Sequence, residues 1–275
     1  MNHKEIKTGR NLPLATFVSL VLALLLVASL WFDRWFFALL VALASYFAVS
    51  EMISLLNLRD TRSKYLVLFA SVVLPITSYW QGLVVGVGLS LPLLFIAAIL
   101  ALLQGFEDFT HRFTSVVLMV LYVPVLLSFM VEMARFENGF ALVFSLALLN
   151  SAVDTGGYFA GILFGKRPLF KILSPKKTIE GLLGSFALTL LVAVLLIPML
   201  IPISWVQGIL IGFSVVIAGV VGDLFESALK RERGVKDASH VIPGHGGVLD
   251  RIDALLFNAP ILWFFLIVVF ELGVV

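Results

Sequence analysis

The chain has 275 residues, of which 61% are hydrophobic and 13% charged, with a formal net charge of +2 and a mean hydropathy of +1.09. A soluble domain carries about 25% charged residues, so half the usual solubilising charge is missing and a water-soluble globular protein is excluded. No cysteine is present, which excludes a disulfide framework and any thiolate metal site.

The apolar residues come in runs of roughly 20, enough to cross a hydrocarbon core of about 30 Å as helix. These runs are continuous and do not alternate with polar residues, so a transmembrane β-barrel does not fit. At the N-terminus, Lys4, Lys7 and Arg10 precede an apolar stretch in the manner of a signal peptide. That stretch is too long for a typical signal core and lacks a clear small-residue cleavage site, so it is expected to stay as the first span. Spans are expected at about 12–32, 35–57, 65–81, 83–103, 113–132, 139–164, 180–202, 205–226 and 255–275. The expected fold is all-α: a polytopic membrane protein of about nine transmembrane helices.

Nine spans put the termini on opposite sides, and basic residues then decide the orientation. With the N-terminus cytoplasmic, the inner segments hold Lys4, Lys7 and Arg10, then Arg59, Arg62 and Lys64, then Arg112. They continue with Lys166, Arg167, Lys171, Lys176 and Lys177, and end with Lys230, Arg231, Arg233, Lys236 and Arg251. Only Arg34 and Arg135, of 19 Lys and Arg residues, fall outside. One span more or fewer would scramble this alternation, so the reading is N-terminus inside and C-terminus outside. No internal repeat of the secondary-transporter kind is visible. The polar chemistry is lopsided, with residues 1–140 forming mostly bland helices (spans one to five). Residues 141–275 form the expected catalytic region, spans six to nine with their cytoplasmic loops.

In span six, Asn150, Asp154, Tyr158 and Gly161 fall at i, i+4, i+8 and i+11, one polar and small-residue stripe on a helix. An ionised Asp at membrane depth costs a few kcal/mol, which points to function. The plainer alternative is a packing stripe with Asp154 hydrogen-bonded to a neighbour. In the next loop, Ser174-Pro175 marks a turn and Thr178 is placed to start a helix beside Lys176 and Lys177. Such an arrangement favours anionic groups. An ordinary positive-inside loop explains the charge but leaves Thr178-Ile179-Glu180-Gly181 unexplained.

Further on, Asp223, Ser227 and Lys230 share a helical face, with Glu226 beside them. Lys236-Asp237 follows, then Pro243-Gly244-His245-Gly246-Gly247-Val248-Leu249-Asp250-Arg251-Ile252-Asp253. Asp250 and Asp253 present two carboxylates on one side of a turn, the hard oxygen ligands that suit Mg²⁺. Gly244, Gly246 and Gly247 leave backbone N–H groups free to approach a phosphate. Taken singly, a glycine-rich turn is usually a turn, His245 is more often structural, and Asp223 can pair with Lys230. Together these groups suggest nucleotidyl or phosphoryl transfer. Gly161-Ile-Leu-Phe-Gly-Lys-Arg167 is not a Walker A loop, because the glycine spacing is wrong and Arg stands where Ser or Thr must bind Mg²⁺.

The stretch from Ser227 to Asp253 resembles the signature of the phosphatidate cytidylyltransferases, or CDP-diacylglycerol synthases, along its whole length. Asp154-Thr-Gly-Gly-Tyr158, Phe164-Gly-Lys166 and Ser174-Pro-Lys-Lys-Thr-x-Glu-Gly181 are similar to a second stretch typical of that family. Gly157, where many members carry alanine, is a mild departure. The resemblance implies a reaction, CTP plus phosphatidic acid giving CDP-diacylglycerol and pyrophosphate with Mg²⁺, and a polar cavity open to the cytoplasm in a usually dimeric fold. It implies that Asp223, Asp250 and Asp253 hold Mg²⁺, with a second cation such as K⁺ possible. Lys166, Lys177, Lys230 and Lys236 would neutralise phosphates, with Lys230 counted as catalytic alongside the three aspartates. The Gly244-His245-Gly246-Gly247 loop would cradle the triphosphate or the departing pyrophosphate. Asp154 would stand at the cavity wall, and Ser227, Asp237 and Arg251 would contact substrate. Expected partners are CTP, phosphatidic acid, the bilayer and a second copy of the chain, with no nucleic acid. The expected location is a bacterial inner membrane. Competing readings are a CTP-dependent enzyme acting on another membrane lipid, such as a polyprenol kinase, and a cation- or proton-coupled transporter. Clustering of the charges near one membrane face speaks against the transporter.

Overall fold

The structure, a computed structural model, describes residues 12–170, 173–235, 238–239 and 246–271. Among the described residues nine long helices follow one another: α1 (Leu12–Phe32), α2 (Arg34–Leu55), α3 (Thr61–Gln81), α4 (Leu83–Leu103), α5 (Phe109–Arg135), α6 (Gly139–Phe164), α7 (Ile179–Leu200), α8 (Trp205–Glu232) and α9 (Leu249–Val269). Among the described residues α2 and α4 to α9 are long and apolar enough to cross a membrane. Each of the first eight expected spans falls largely on one of these helices and the ninth does so up to Val269, with residues 272–275 outside the described residues; the protein is an all-α polytopic membrane protein. Connections are one to five residues long except before α7 and α9, and such short links between long packed helices make neighbours antiparallel.

Starts and breaks follow from single residues. The Asp33 side chain accepts the Trp35 N–H at 2.7 Å and starts α2, and Asp60 does the same for α3 through the Ser63 N–H at 2.7 Å. Ser204 and Gln207 form a reciprocal capping box at the start of α8. Pro124 lacks an N–H and crowds the preceding turn, and α5 widens there into a π turn over Leu121–Val125. This bulge brings Tyr122 against Phe225 of α8 and Phe257 of α9, with ring centroids 4.8 and 6.0 Å away. Buried side chains from α2, α3, α5, α6, α8 and α9, among them Met52, Leu74, Met133, Leu146, Ile211 and Leu256, form one contiguous core. The outer surface carries large exposed apolar side chains such as Leu24, Phe95, Leu102, Leu191 and Phe213, far more than a water-facing monomer shows, and lipid is their natural cover.

Two element boundaries differ from expectation. The helix α8 runs to Glu232, past the expected end at 226, because Glu, Lys and Arg are good helix formers once the chain leaves the apolar zone. The helix α9 starts at Leu249 and not near 255, so Asp250 and Asp253 stand in its first turns and not on a preceding turn. The loop before α7 also contains a hairpin that periodicity did not reveal: β1 (Pro168–Phe170) pairs antiparallel with β2 (Ser174–Thr178). Ser174 therefore lies in a strand, where a turn was expected.

The two basic residues left over from the inside count both serve the opposite end of the bundle. Arg34 donates to the carbonyls of Arg135 and Glu137 at 2.7 and 3.0 Å, covering the C-terminus of α5. Arg135 pairs with Glu132 at 2.8 Å, and Glu132 accepts the Leu83 N–H at 3.0 Å. The connections α1–α2, α3–α4 and α5–α6 are thus tied together at one end, as alternating spans require. Because the chain has no cysteine, Arg62→Cys and Glu137→Cys supply single exposed thiols at opposite ends. An impermeant maleimide added to intact spheroplasts should label Glu137→Cys and reach Arg62→Cys only after lysis. The reverse pattern would invert the orientation.

Candidate active site

A cavity of about 350 Å³ opens between α6, α7, α8, α9 and the hairpin. Asp154, Tyr158 and Gly161 of α6 line it, so three of the four stripe residues face a common space. The fourth, Asn150, accepts a hydrogen bond from the Asn258 side chain of α9 at 2.9 Å and serves packing. Asp223 of α8 and Asp253 of α9 line the same cavity, as do Ser174, Lys176, Lys177 and Thr178 from β2. Asp223 and Asp253 come together because α8 and α9 touch closely at Gly222, where a Cβ would sit 2.6 Å from the Asp253 carbonyl oxygen. Any side chain at 222 would push the two carboxylates apart.

The Thr178-x-Glu180-Gly181 pattern is explained by local hydrogen bonding. Thr178 Oγ1 accepts the Gly181 N–H at 3.0 Å and caps α7. Glu180 reaches back to accept the Lys166 and Arg167 N–H groups at 3.0 and 3.2 Å, and the Ile179 N–H bonds the Arg167 carbonyl at 2.9 Å. The ends of the hairpin are thereby fixed, and β2 delivers Lys177 to Asp223 at 2.5 Å. Both side chains of this pair are about a third exposed to the cavity, 34% and 31%.

One layer below, Lys230 lies between Glu226 and Asp250, bonding both carboxylates, the second at 2.6 Å. These side chains are 12%, 1% and 7% exposed. The second oxygen of Asp250 accepts the Ala238 and Gly247 N–H groups at 3.0 and 2.8 Å. A sixth acidic residue, Glu51 of α2, lies against the same turn. Its Oε1 accepts the Ser239 hydroxyl and the Val248 N–H at 2.6 and 2.9 Å, and its Oε2 accepts the Leu249 N–H at 2.8 Å.

The residues expected to form one site therefore fall into two groups. Asp154, Lys177, Asp223 and Asp253 meet in the cavity, with Lys176 added. Lys230 and Asp250 face each other in the buried layer behind it. Lys166 is exposed at the mouth of the hairpin, and Ser227 and Arg251 are half-buried one turn or less from Lys230 and Asp250. Gly246 adopts a φ of +82°, which suits glycine alone. Gly247 gives its N–H to Asp250, and the space beside its Cα is filled by Glu51. Lys236, Asp237, Gly244 and His245 lie outside the described residues. Glu226 and Glu51 were missed as parts of the arrangement. Glu226 was visible beside the Asp223–Lys230 face, whereas nothing local marks Glu51.

As to a metal, no three acidic, histidine or cysteine side chains among the described residues are grouped closely enough to hold an ion by themselves. Asp223 and Asp253 nonetheless share one cavity with Asp154. Two carboxylates completed by substrate phosphates is a donor set that Mg²⁺ commonly takes, so these residues fit it.

The profile of the cytidylyltransferase family matches residues 14–269. A Mycobacterium bovis protein named phosphatidate cytidylyltransferase is 37% identical over 151 residues, 54% of this chain and 49% of its own. The Bacillus subtilis protein of that name is 36% identical over 153 residues (55% and 57%), and the Haemophilus influenzae one 42% over 133 residues (46% and 46%). The chain spans about half the length of the curated relatives it matches.

Removing the cation from the buried layer should cost far more stability than removing the one in the cavity. Lys230→Met strands two buried carboxylates and is expected to destabilise the fold by about 3–5 kcal/mol. Lys177→Met breaks a pair that is a third exposed and should cost about 1 kcal/mol or less. Thermal unfolding in detergent, compared between the two variants, checks this order.

Proposed function

The chain belongs to the cytidylyltransferase family, and on that footing we propose that it is a CTP-dependent nucleotidyltransferase making CDP-diacylglycerol from CTP and phosphatidic acid. The observation that carries the reading is the convergence of Asp154, Asp223 and Asp253 with Lys176 and Lys177 in one cavity. Carboxylates for a divalent cation and lysines for phosphate are what joining two polyanions requires.

A phosphate oxygen of phosphatidic acid attacks the α-phosphorus of CTP in line. An O–P bond forms, the P–O bond to the β-phosphate breaks, and pyrophosphate departs with that electron pair. The attacking oxygen is already ionised near neutral pH, since the second pKa of a phosphomonoester is about 6. A strong general base is therefore not needed, and the work of the protein is charge neutralisation and alignment. Asp223 and Asp253 would hold Mg²⁺, which would supply charge neutralisation for the phosphates, and Asp154 would orient it or a second cation such as K⁺. Lys177, whose pair with Asp223 is partly exposed to the cavity, would neutralise the phosphates together with Lys176. Lys230 and Asp250 act from the layer behind, setting the positions of Asp223 and Asp253. The cavity faces the cytoplasm of a bacterial inner membrane, where CTP is found and where most basic residues lie. The acyl chains stay in lipid while the headgroup enters between α6 and α8, and the protein works as a homodimer, as its family resemblance implies.

Purified protein in detergent with Mg²⁺, CTP and phosphatidic acid should release pyrophosphate, and only when both substrates are present. Asp223→Asn should lower turnover at least 100-fold while leaving thermal unfolding within about 1 kcal/mol of wild type, since its pair with Lys177 is about a third exposed. Release with another lipid acceptor but not with phosphatidic acid would move the protein to a different lipid substrate. Full activity of Asp223→Asn would remove that residue from the site.

A further inference from the structure

Three features of the fold lie outside the cavity. A polar pocket of about 540 Å³ lies between the α2–α3 and α4–α5 connections, lined by Arg59, His111 and Arg112 but also by Asp60 and Asp108. Its mixed charge and exposed walls select no ligand. The Tyr122 hydroxyl is buried without a protein partner, yet it lies among aromatic rings and faces no described opening. The third candidate, Glu51, goes further.

Glu51 is 4% exposed and belongs to α2, nearly 200 residues before the turn that it holds. Both of its oxygens are used, and among the described residues its donors all come from that turn: the Ser239 hydroxyl and the N–H groups of Val248 and Leu249. Val248 and Leu249 open α9. The N-cap residue Val248 supplies no side-chain capping bond, and the N–H groups of Val248 and Leu249 are met by a carboxylate from another helix. A negative charge at a helix N-terminus is favoured by the exposed N–H dipoles. The fit is also steric: a Cβ on Gly247 would fall 2.5 Å from Glu51 Oε2. The glycine at 247 is thus matched to Glu51.

We propose that Glu51 is a positioning residue for cytidylyl transfer. It caps α9 from outside and so sets where Asp250 and Asp253 stand, without touching substrate. This rests on the functional reading above. Glu51 is then the point at which the otherwise bland first five helices enter the chemistry. Glu51→Gln keeps the size but presents an NH₂ to an N–H donor, so it should fail nearly as badly as Glu51→Ala. Glu51→Asp, one methylene shorter, should fall between them and wild type.

Two measurements decide the matter. Hydrogen exchange at residues 247–250 should quicken at least tenfold in Glu51→Ala and Glu51→Gln, while peptides from α5 and α6 stay protected. In the pyrophosphate assay, kcat should fall at least 30-fold and the Mg²⁺ concentration for half-maximal rate should rise at least fivefold, with KM for the lipid unchanged. A merely structural role would reduce the active fraction and leave the Mg²⁺ midpoint where it was, which overturns the proposal. Unchanged exchange at 247–250 overturns it as well. Wild-type protein that releases no pyrophosphate sinks the catalytic reading instead, and the exchange arm still decides whether Glu51 holds the turn.

Discussion

Lys230 sits between two carboxylates where water hardly reaches. Desolvating three charged groups costs several kcal/mol each, and that cost is offset only if every partner is held at bonding distance. Glu226 lies one helical turn away on α8 itself, whereas Asp250 comes from α9. The ion cluster therefore fixes the last turns of α8 against the first turns of α9. Since one cation faces two carboxylates, the remaining negative charge is met by N–H groups of Ala238 and Gly247. The turn before α9 is thus drawn into the same network, and Asp223 and Asp253, each three residues from a member of the cluster, are brought to face each other.

The rest of the bundle can be understood as the frame for that junction. At the far end Arg34, Glu132 and Arg135 tie three connections together through carbonyls and one carboxylate. At the near end charge is concentrated and only partly neutralised by protein: Lys177 pairs with Asp223, while Asp154 and Lys176 face the cavity. Such a division fits a membrane enzyme that must admit two polyanions from one side only. Pairs that hold the fold are buried and closed, whereas the pair in the cavity remains partly wet and exchangeable. The apolar outer surface keeps lipid as the solvent of the bundle while the charged groups gather inside.

Much of the site was legible in the chain because it is local. The period of Asp154, Tyr158 and Gly161 on α6 predicted a common face, and they share a cavity. Thr178 was recognisable as a helix start, and it caps α7. Where reading was indirect, pieces were misplaced. Asp250 looked like a twin of Asp253 at i, i+3, yet it turns to Lys230, since a helix at 249 sends the two side chains in different directions from those a turn would give. The hairpin of β1 and β2 escaped notice because its strands are short, with proline and lysine in place of alternating apolar residues. Glu51 carried no signal at all, being a single acid near the end of an apolar span.

The sequence by itself determined the solvent and the all-α class, because run length and apolarity are properties of a chain read in order. It also determined the family, through its motifs. Tertiary structure alone decided which acids line the cavity and which are closed in buried ion pairs. That choice rests on contacts between residues 46 positions apart, as for Lys177 and Asp223, or 198 apart, as for Glu51 and Leu249. Pairing energies in a low-dielectric interior depend on distances that local sequence does not encode.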